Sequence, residues 1–246
     1  MRRRVVSSLH MQMSRNRWAL IILIVLVIVG GGAWYYSAHR APSVTAFPIN
    51  PQDSIASWNF KGAYTGDAAL EQKATADEAK LKGMMTASSS EEYYLYIGIG
   101  NDENLLGHGK GAYDAYDKAA SLFPNQGLPY ADLGHLMEEL GAYYTAADAY
   151  AAAVHAEPGL LEFHTQRLAF LTRQFPNDTA MIQAALADAN KQFGDVAQVL
   201  AIEAQWLEGK GQYADAVKAW QRAKLLSPGQ NTSGIDAAIA RDQAKL

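Results

Sequence analysis

His135, Glu138 and Glu139 are the closest the sequence comes to a reactive cluster. On a helix an imidazole and a carboxylate three or four residues apart share a face, so the group could offer two ligands to a metal ion. Two ligands do not make a site. No His-Glu-x-x-His motif is present, and nothing in the spacing of His10, His39, His108, His155 or His164 dictates a third ligand. The reading adopted is a polar helix surface, with a metal-dependent enzyme centred on His135 as the alternative from another class.

Gly107-His108-Gly109-Lys110-Gly111 invites comparison with a phosphate-binding loop. Such a loop needs a glycine five residues before Gly109, where Asn104 stands, and Ser or Thr after Lys110, where Gly111 stands. It also follows a strand, whereas the residues here predict a preceding helix. Gly209-Lys210-Gly211 fails likewise, and both read as turns between helices. Glu91-Glu92 and Glu138-Glu139 read as solvated helix faces, and Ser88-Ser89-Ser90 as helix capping. Asn177-Asp178-Thr179 and Asn231-Thr232-Ser233 match the glycosylation sequon, which matters only in a eukaryotic secretory route. With no cysteine in the chain, thiol catalysis, disulfides and Cys-ligated metals are excluded. No enzyme activity, cofactor or metal is expected.

The 246 residues carry a formal charge of −4, unevenly spread. Residues 1–40 hold six of the 21 Lys and Arg (Arg2, Arg3, Arg4, Arg15, Arg17 and Arg40) and no acid. The remainder therefore sets 15 bases against 25 acids, a formal −10. Nucleic acid is an unsuitable partner for so acidic a domain, because phosphate contacts need clustered cations.

Trp18–Tyr36 is 19 residues without a charge, and about 20 apolar residues span a bilayer core. Aromatic residues flank it on both sides, as at membrane interfaces. Five arginines precede it, so the positive-inside rule places residues 1–17 in the cytoplasm and residues 37–246 outside. The expectation is an uncleaved single-pass anchor in the cytoplasmic membrane. A cleaved signal peptide ending near Ala33 or Ala38 is the rival, and it also exports the domain.

Residues 37–63 contain Pro42, Pro48 and Pro51 and read as an extended linker, with Trp58 and Phe60 docking against the first helix. A helix capped by Thr65 or Asp67 follows to about Met85, carrying Leu70, Ala74 and Leu81 on one face. Beyond it the chain repeats itself. Pro124 and Pro158 lie 34 apart, and equal offsets back from each give Tyr96 and Tyr130, Gly100 and Gly134, Ala112 and Ala146, Tyr116 and Tyr150. A register ending at Pro228 adds Ala204, Tyr213, Ala216, Trp220 and Ala223. Small residues let the two helices of a repeat approach, the large aromatics fill space towards the next repeat, and the prolines end the second helix. The expected repeats are about 93–126, 127–160, 161–196 and 197–230, the third longer than the others by two residues. A terminal helix from Ser233 presents Asp236, Arg241, Asp242 and Lys245 as a polar cap.

This pattern resembles the tetratricopeptide repeat (TPR). The resemblance implies an all-α right-handed solenoid over residues 64–246, with a groove lined by the first (A) helix of each repeat and a protein or extended peptide as partner. Register transfer places Tyr94, Ile97, Asn101 and Asn104 in that groove, then Ala131, His135 and Glu138, then Ala201, Gln205 and Glu208. The lysines of carboxylate-clamping TPRs are missing; of that pattern only Asn101 is present. The layout is similar to that of bacterial membrane-anchored TPR proteins. It implies a non-enzymatic scaffold outside the cytoplasm, or an accessory subunit of a secretion or cytochrome-maturation assembly.

Overall fold

The computed structural model describes residues 46–85 and 89–246, and Ala46–Leu246 forms one compact unit. The anchor expected at 18–36, its basic tail and linker residues 37–45 lie outside the described residues. Among the described residues no helix is long and apolar enough to cross a membrane.

Ten described helices follow an extended segment. They are α1 (Ala68–Gly83), α2 (Ser89–Leu106), α3 (Gly109–Leu122), α4 (Leu128–Glu139), α5 (Tyr143–Ala156), α6 (Leu161–Gln174), α7 (Thr179–Phe193), α8 (Ala197–Gly209), α9 (Tyr213–Leu225) and α10 (Ser233–Gln243). From α2 they pair as A and B helices, α2 with α3, α4 with α5, α6 with α7 and α8 with α9. Asp67 caps α1, its side chain accepting from the Ala69 and Leu70 N–H groups. The unit resembles a TPR solenoid.

Within three of the pairs the chain reverses through a glycine at positive φ, Gly107 (80°), Gly141 (72°) and Gly211 (71°). Only a residue lacking Cβ adopts that conformation cheaply, which is why the glycines recur at the repeat period. Close approach then depends on small residues facing aromatic rings. A Cβ on Gly100 would lie 2.4 Å from the Tyr116 ring, and one on Gly134 would lie 2.9 Å from that of Tyr150. Tyr116 and Tyr150 therefore fold back onto the A helix of their own repeat, where the sequence suggested that they reach towards the next. Tyr150 does both, since its ring centroid is also 5.0 Å from that of Phe170 on α6.

The third pair departs from this plan. Its B helix starts 18 residues after its A helix, against 15 in the second pair and 16 in the fourth, so relative to those two the extra residues sit in α6 and the turn after it; the 20 of the first pair reflects its 18-residue A helix. That turn, Phe175-Pro176-Asn177-Asp178, contains no glycine. Asp178 caps α7 by accepting from Met181 N–H, and Trp206 on α8 donates its indole N–H to the Pro176 carbonyl at 2.8 Å. The longer connection lets α7 stand apart: it packs less on α6 than other B helices pack on their partners, and barely touches α8.

At the C-terminus Asp242 is wholly buried, not on the polar cap surface as expected. Burial raises its pKa, aided by the neighbouring Glu208 carboxylate. Asp236 keeps to the surface and pairs with Lys224 at 2.6 Å.

Candidate peptide-binding surface

Residues 46–64 form a strap laid along the first two repeats. It is not a free spacer but is fastened to the solenoid. The Phe47 N–H donates to Asp117 at 2.6 Å, and the Tyr113 hydroxyl donates to the Phe47 carbonyl. Asn50 N–H donates to the Thr145 hydroxyl (2.9 Å), and its side-chain amide donates to Asp148 (2.8 Å). Asp53 supplies the cap that α5 lacks locally, accepting from the N–H groups of Tyr144 (3.2 Å) and Thr145 (2.6 Å) and from the Thr145 hydroxyl (2.7 Å). Trp58 packs edge-on against Tyr113 of α3, beyond the first helix to which it was assigned, and accepts from Gly109 N–H at 2.7 Å.

The strap also explains the glycine-rich loop. A Cβ on Gly107 would lie 2.2 Å from the Phe60 carbonyl oxygen, and one on Gly109 2.4 Å from that of Trp58. The loop cradles a backbone of its own chain. Lys110 lies over the rings of Trp58 and Tyr113 and pairs with the Asp114 carboxylate of its own helix.

The A-helix positions named from the sequence divide into three kinds. Ala131 is buried against Ala153, Val154 and Phe163, and Ala201 packs on the Ala204–Trp220 cluster. Ile97 is partly buried against the main core. These three hold repeats together. Glu138 and Glu208, 70 residues apart, are both mostly buried and tie their helix to the A helix beyond. Glu138 accepts from Arg173 and Gln174 of α6, and Glu208 accepts from Arg241 of α10 and from the Trp220 indole (2.6 Å). Asn104 has its side-chain oxygen buried without a protein partner among the described residues.

Tyr94, Asn101, His135 and Gln205 face solvent, Tyr94 with 72% of its surface exposed. Asn101 and His135 are equivalent residues held in equivalent ways. The Tyr116 hydroxyl donates to Asn101 Oδ1 at 2.8 Å, and the Tyr150 hydroxyl lies 2.8 Å from His135 Nδ1. Burial raises both tyrosine pKa values, so each phenol keeps its proton. Burial of the ring side against Tyr150 also lowers the His135 pKa, with Glu138 pulling the other way. A neutral imidazole that accepts at Nδ1 carries its proton on Nε2. Thus Asn101 retains its amide N–H groups, and His135 its Nε2–H, as oriented donors. Gln205 occupies the corresponding place on α8 without a bond to the aromatic, because Trp220 takes Glu208 instead.

Asp132, beside Ala131 on α4, is a residue the sequence reading passed over. Burial pushes its pKa up to about 7, and its Oδ2 has no protein partner among the described residues. Its field reaches Tyr93, Tyr116 and Tyr150. A signal was present: Tyr130–Met137 is apolar around this acid and holds no Lys or Arg to neutralise it. Among the described residues no group of three or more His, Cys, Asp or Glu could hold a metal ion. His135 Nδ1 is held by Tyr150, and Glu138 Oε1 by Arg173 and Gln174.

The displaced α7 leaves open clefts on both its sides. One, of about 390 Å³, lies among α7, α8 and α9, and another, of about 570 Å³, among α5, α6 and α7.

No family model matches the chain, and no curated protein matches it. Among solved structures it is similar to the one titled "Crystal structure of MamA protein", at 16% identity, covering 63% of this chain and 88% of that one with a TM-score of 0.47.

Proposed function

We propose that this protein is a non-enzymatic TPR scaffold, held on the outer face of the cytoplasmic membrane by residues 18–36, that recruits a protein through its A-helix surface. The observation that carries the reading is the pinning of Asn101 and His135 by Tyr116 and Tyr150, which fixes hydrogen-bond donors at one position of successive repeats. A partner strand crossing the repeats would present backbone carbonyls to these donors. Exposed Tyr94 would meet an apolar side chain at one end, and Gln205 would serve the strand's far end. The acidic domain favours a polar or basic segment, and the charge asymmetry of the chain supports the N-terminus-inside topology. Tethering confines the surface to a thin layer above the bilayer and raises the effective concentration of membrane-bound partners.

The test is crosslinking and capture of the full chain from its own cells. It is run beside a chain lacking residues 1–45 and beside Gln205→Arg with Tyr94→Ser, changes at exposed positions of which the second gives up one edge contact with Tyr93, with folding checked by circular dichroism. One membrane-associated complex, lost in both variants, is the expected result. Recovery of the same proteins with the doubly substituted surface, or of self-crosslinks alone, would overturn the proposal.

A further inference from the structure

The strap reveals how this solenoid holds an extended chain on its B-helix side, and the repeat register shows where else it could. Moving 70 residues on from α3 and α5 leads to α7 and α9, whose first residues match theirs (Gly109 to Thr179, Tyr143 to Tyr213). Gly109, Tyr113, Thr145 and Asp148 grip the strap. Their equivalents, Thr179, Gln183, Asp215 and Lys218, all line the cleft among α7, α8 and α9, floored by Leu186 and Trp206. Gln183, Asp215 and Lys218 thus offer polar groups where the strap is gripped, whereas Thr179 has the Cβ that Gly109 must lack and its hydroxyl accepts from Lys210 (2.6 Å), so a second chain would cross that end at a greater distance.

We infer that the second cleft docks an extended segment of a partner protein whose polar side chains are the reverse of the strap's. In the filled site Asn50 donates to Asp148, and Asp53 accepts from Thr145. The open site offers Lys218 in place of Asp148 and Asp215 in place of Thr145. Its occupant carries a carboxylate opposite Lys218, with Arg222 on the same wall, and an amide opposite Asp215. The amide donates to that carboxylate while its oxygen accepts from the first N–H groups of α9. Gln183 replaces the Tyr113 hydroxyl as donor to a backbone carbonyl. The Lys218–Asp215 pair (2.8 Å) and the Arg222–Asp195 pair are solvent-exposed, so exchanging them for ligand contacts costs little. A second copy's strap is a poor occupant, because its Asp53 would face Asp215.

The probe is a labelled peptide of residues 46–60 with Asn50→Asp and Asp53→Asn, compared with the native-sequence peptide by fluorescence anisotropy on the full chain. The two peptides have equal net charge, so a difference between them reports position. The expected result is saturable binding of the exchanged peptide at least ten-fold tighter than the native one. The preference should reverse in Asp215→Thr with Lys218→Asp, a variant checked for unchanged helicity and melting. Gln205→Arg should leave the binding untouched, which separates this cleft from the A-helix surface. Absence of saturable binding by the exchanged peptide, equal binding of both peptides, or preference of the unaltered protein for the native peptide would each overturn the inference. The last result would point to a second copy as occupant.

Discussion

Replacing Asp53 with alanine should destabilise the first two repeats, although Asp53 lies outside every helix. Its carboxylate accepts from two N–H groups at the start of α5 and from the buried Thr145 hydroxyl. Losing a capping side chain costs about 1 kcal/mol, and loss of a negative charge at a helix N-terminus costs a further ~0.3–1 kcal/mol. Leaving the Thr145 hydroxyl without its acceptor adds about 1–3 kcal/mol if water stays out. The freed strap admits water, which relieves most of that last cost, so the expected loss is about 2 kcal/mol. For a unit of this size that lowers the melting temperature by roughly 4–8 °C. Asp53→Asn, which keeps one acceptor, should lose about half as much. The assay is urea and thermal denaturation followed by circular dichroism, with limited proteolysis of residues 46–60 beside it. Destabilisation below ~0.5 kcal/mol, with the strap still protected, would refute the idea that a remote carboxylate caps α5.

Other substitutions test the packing and its charge. Gly100→Ala should cost about 1–2 kcal/mol in denaturation experiments, because crowding of Tyr116 outweighs the ~1 kcal/mol gain in helix propensity. Gly83→Ala, with open space around it, should be neutral or stabilising in the same assay. Asp132 keeps its proton in the folded protein up to about pH 7, whereas the unfolded chain releases it near 3.8. The folded state thus binds more protons between these values, and stability falls as pH rises through that window. Asp132→Asn should flatten the decline and raise stability at pH 8 by about 2 kcal/mol, measured as a pH series of urea midpoints. Tyr150→Phe should lose roughly 1 kcal/mol and raise the His135 pKa, read by NMR titration, since neutral Nδ1 loses its donor.

The repeat period was legible because glycines at the A-to-B turns and small residues opposite aromatics leave marks at fixed spacing. Gly100 with Tyr116 and Gly134 with Tyr150 could be paired by counting alone. What those aromatics do with their polar atoms was only half legible. Asn101 and His135 each follow the small residue, 15 positions before the phenol that binds them. In the last repeat Trp220 replaces tyrosine, and its N–H selects Glu208, one turn beyond Gln205. The strap left no such trace. It has no periodicity, and its contacts span sequence separations of 41 to 98 residues, from Tyr64–Leu105 to Asn50–Asp148. The displacement of α7 could be suspected from the two extra residues, but its direction depends on Trp206 holding the Pro176 turn.

The central proposal is that a partner protein lies on the A-helix surface and that residues 18–36 hold the chain to the membrane. The most direct measurement places a photo-crosslinking amino acid at Gln205 in the full chain in its native membrane, with Gln72 on α1 as an exposed control. The account predicts one discrete crosslinked protein from position 205, absent from position 72 and absent when residues 1–45 are removed. Equal crosslinking from both positions, or none from 205 while the chain is demonstrably folded, would contradict it.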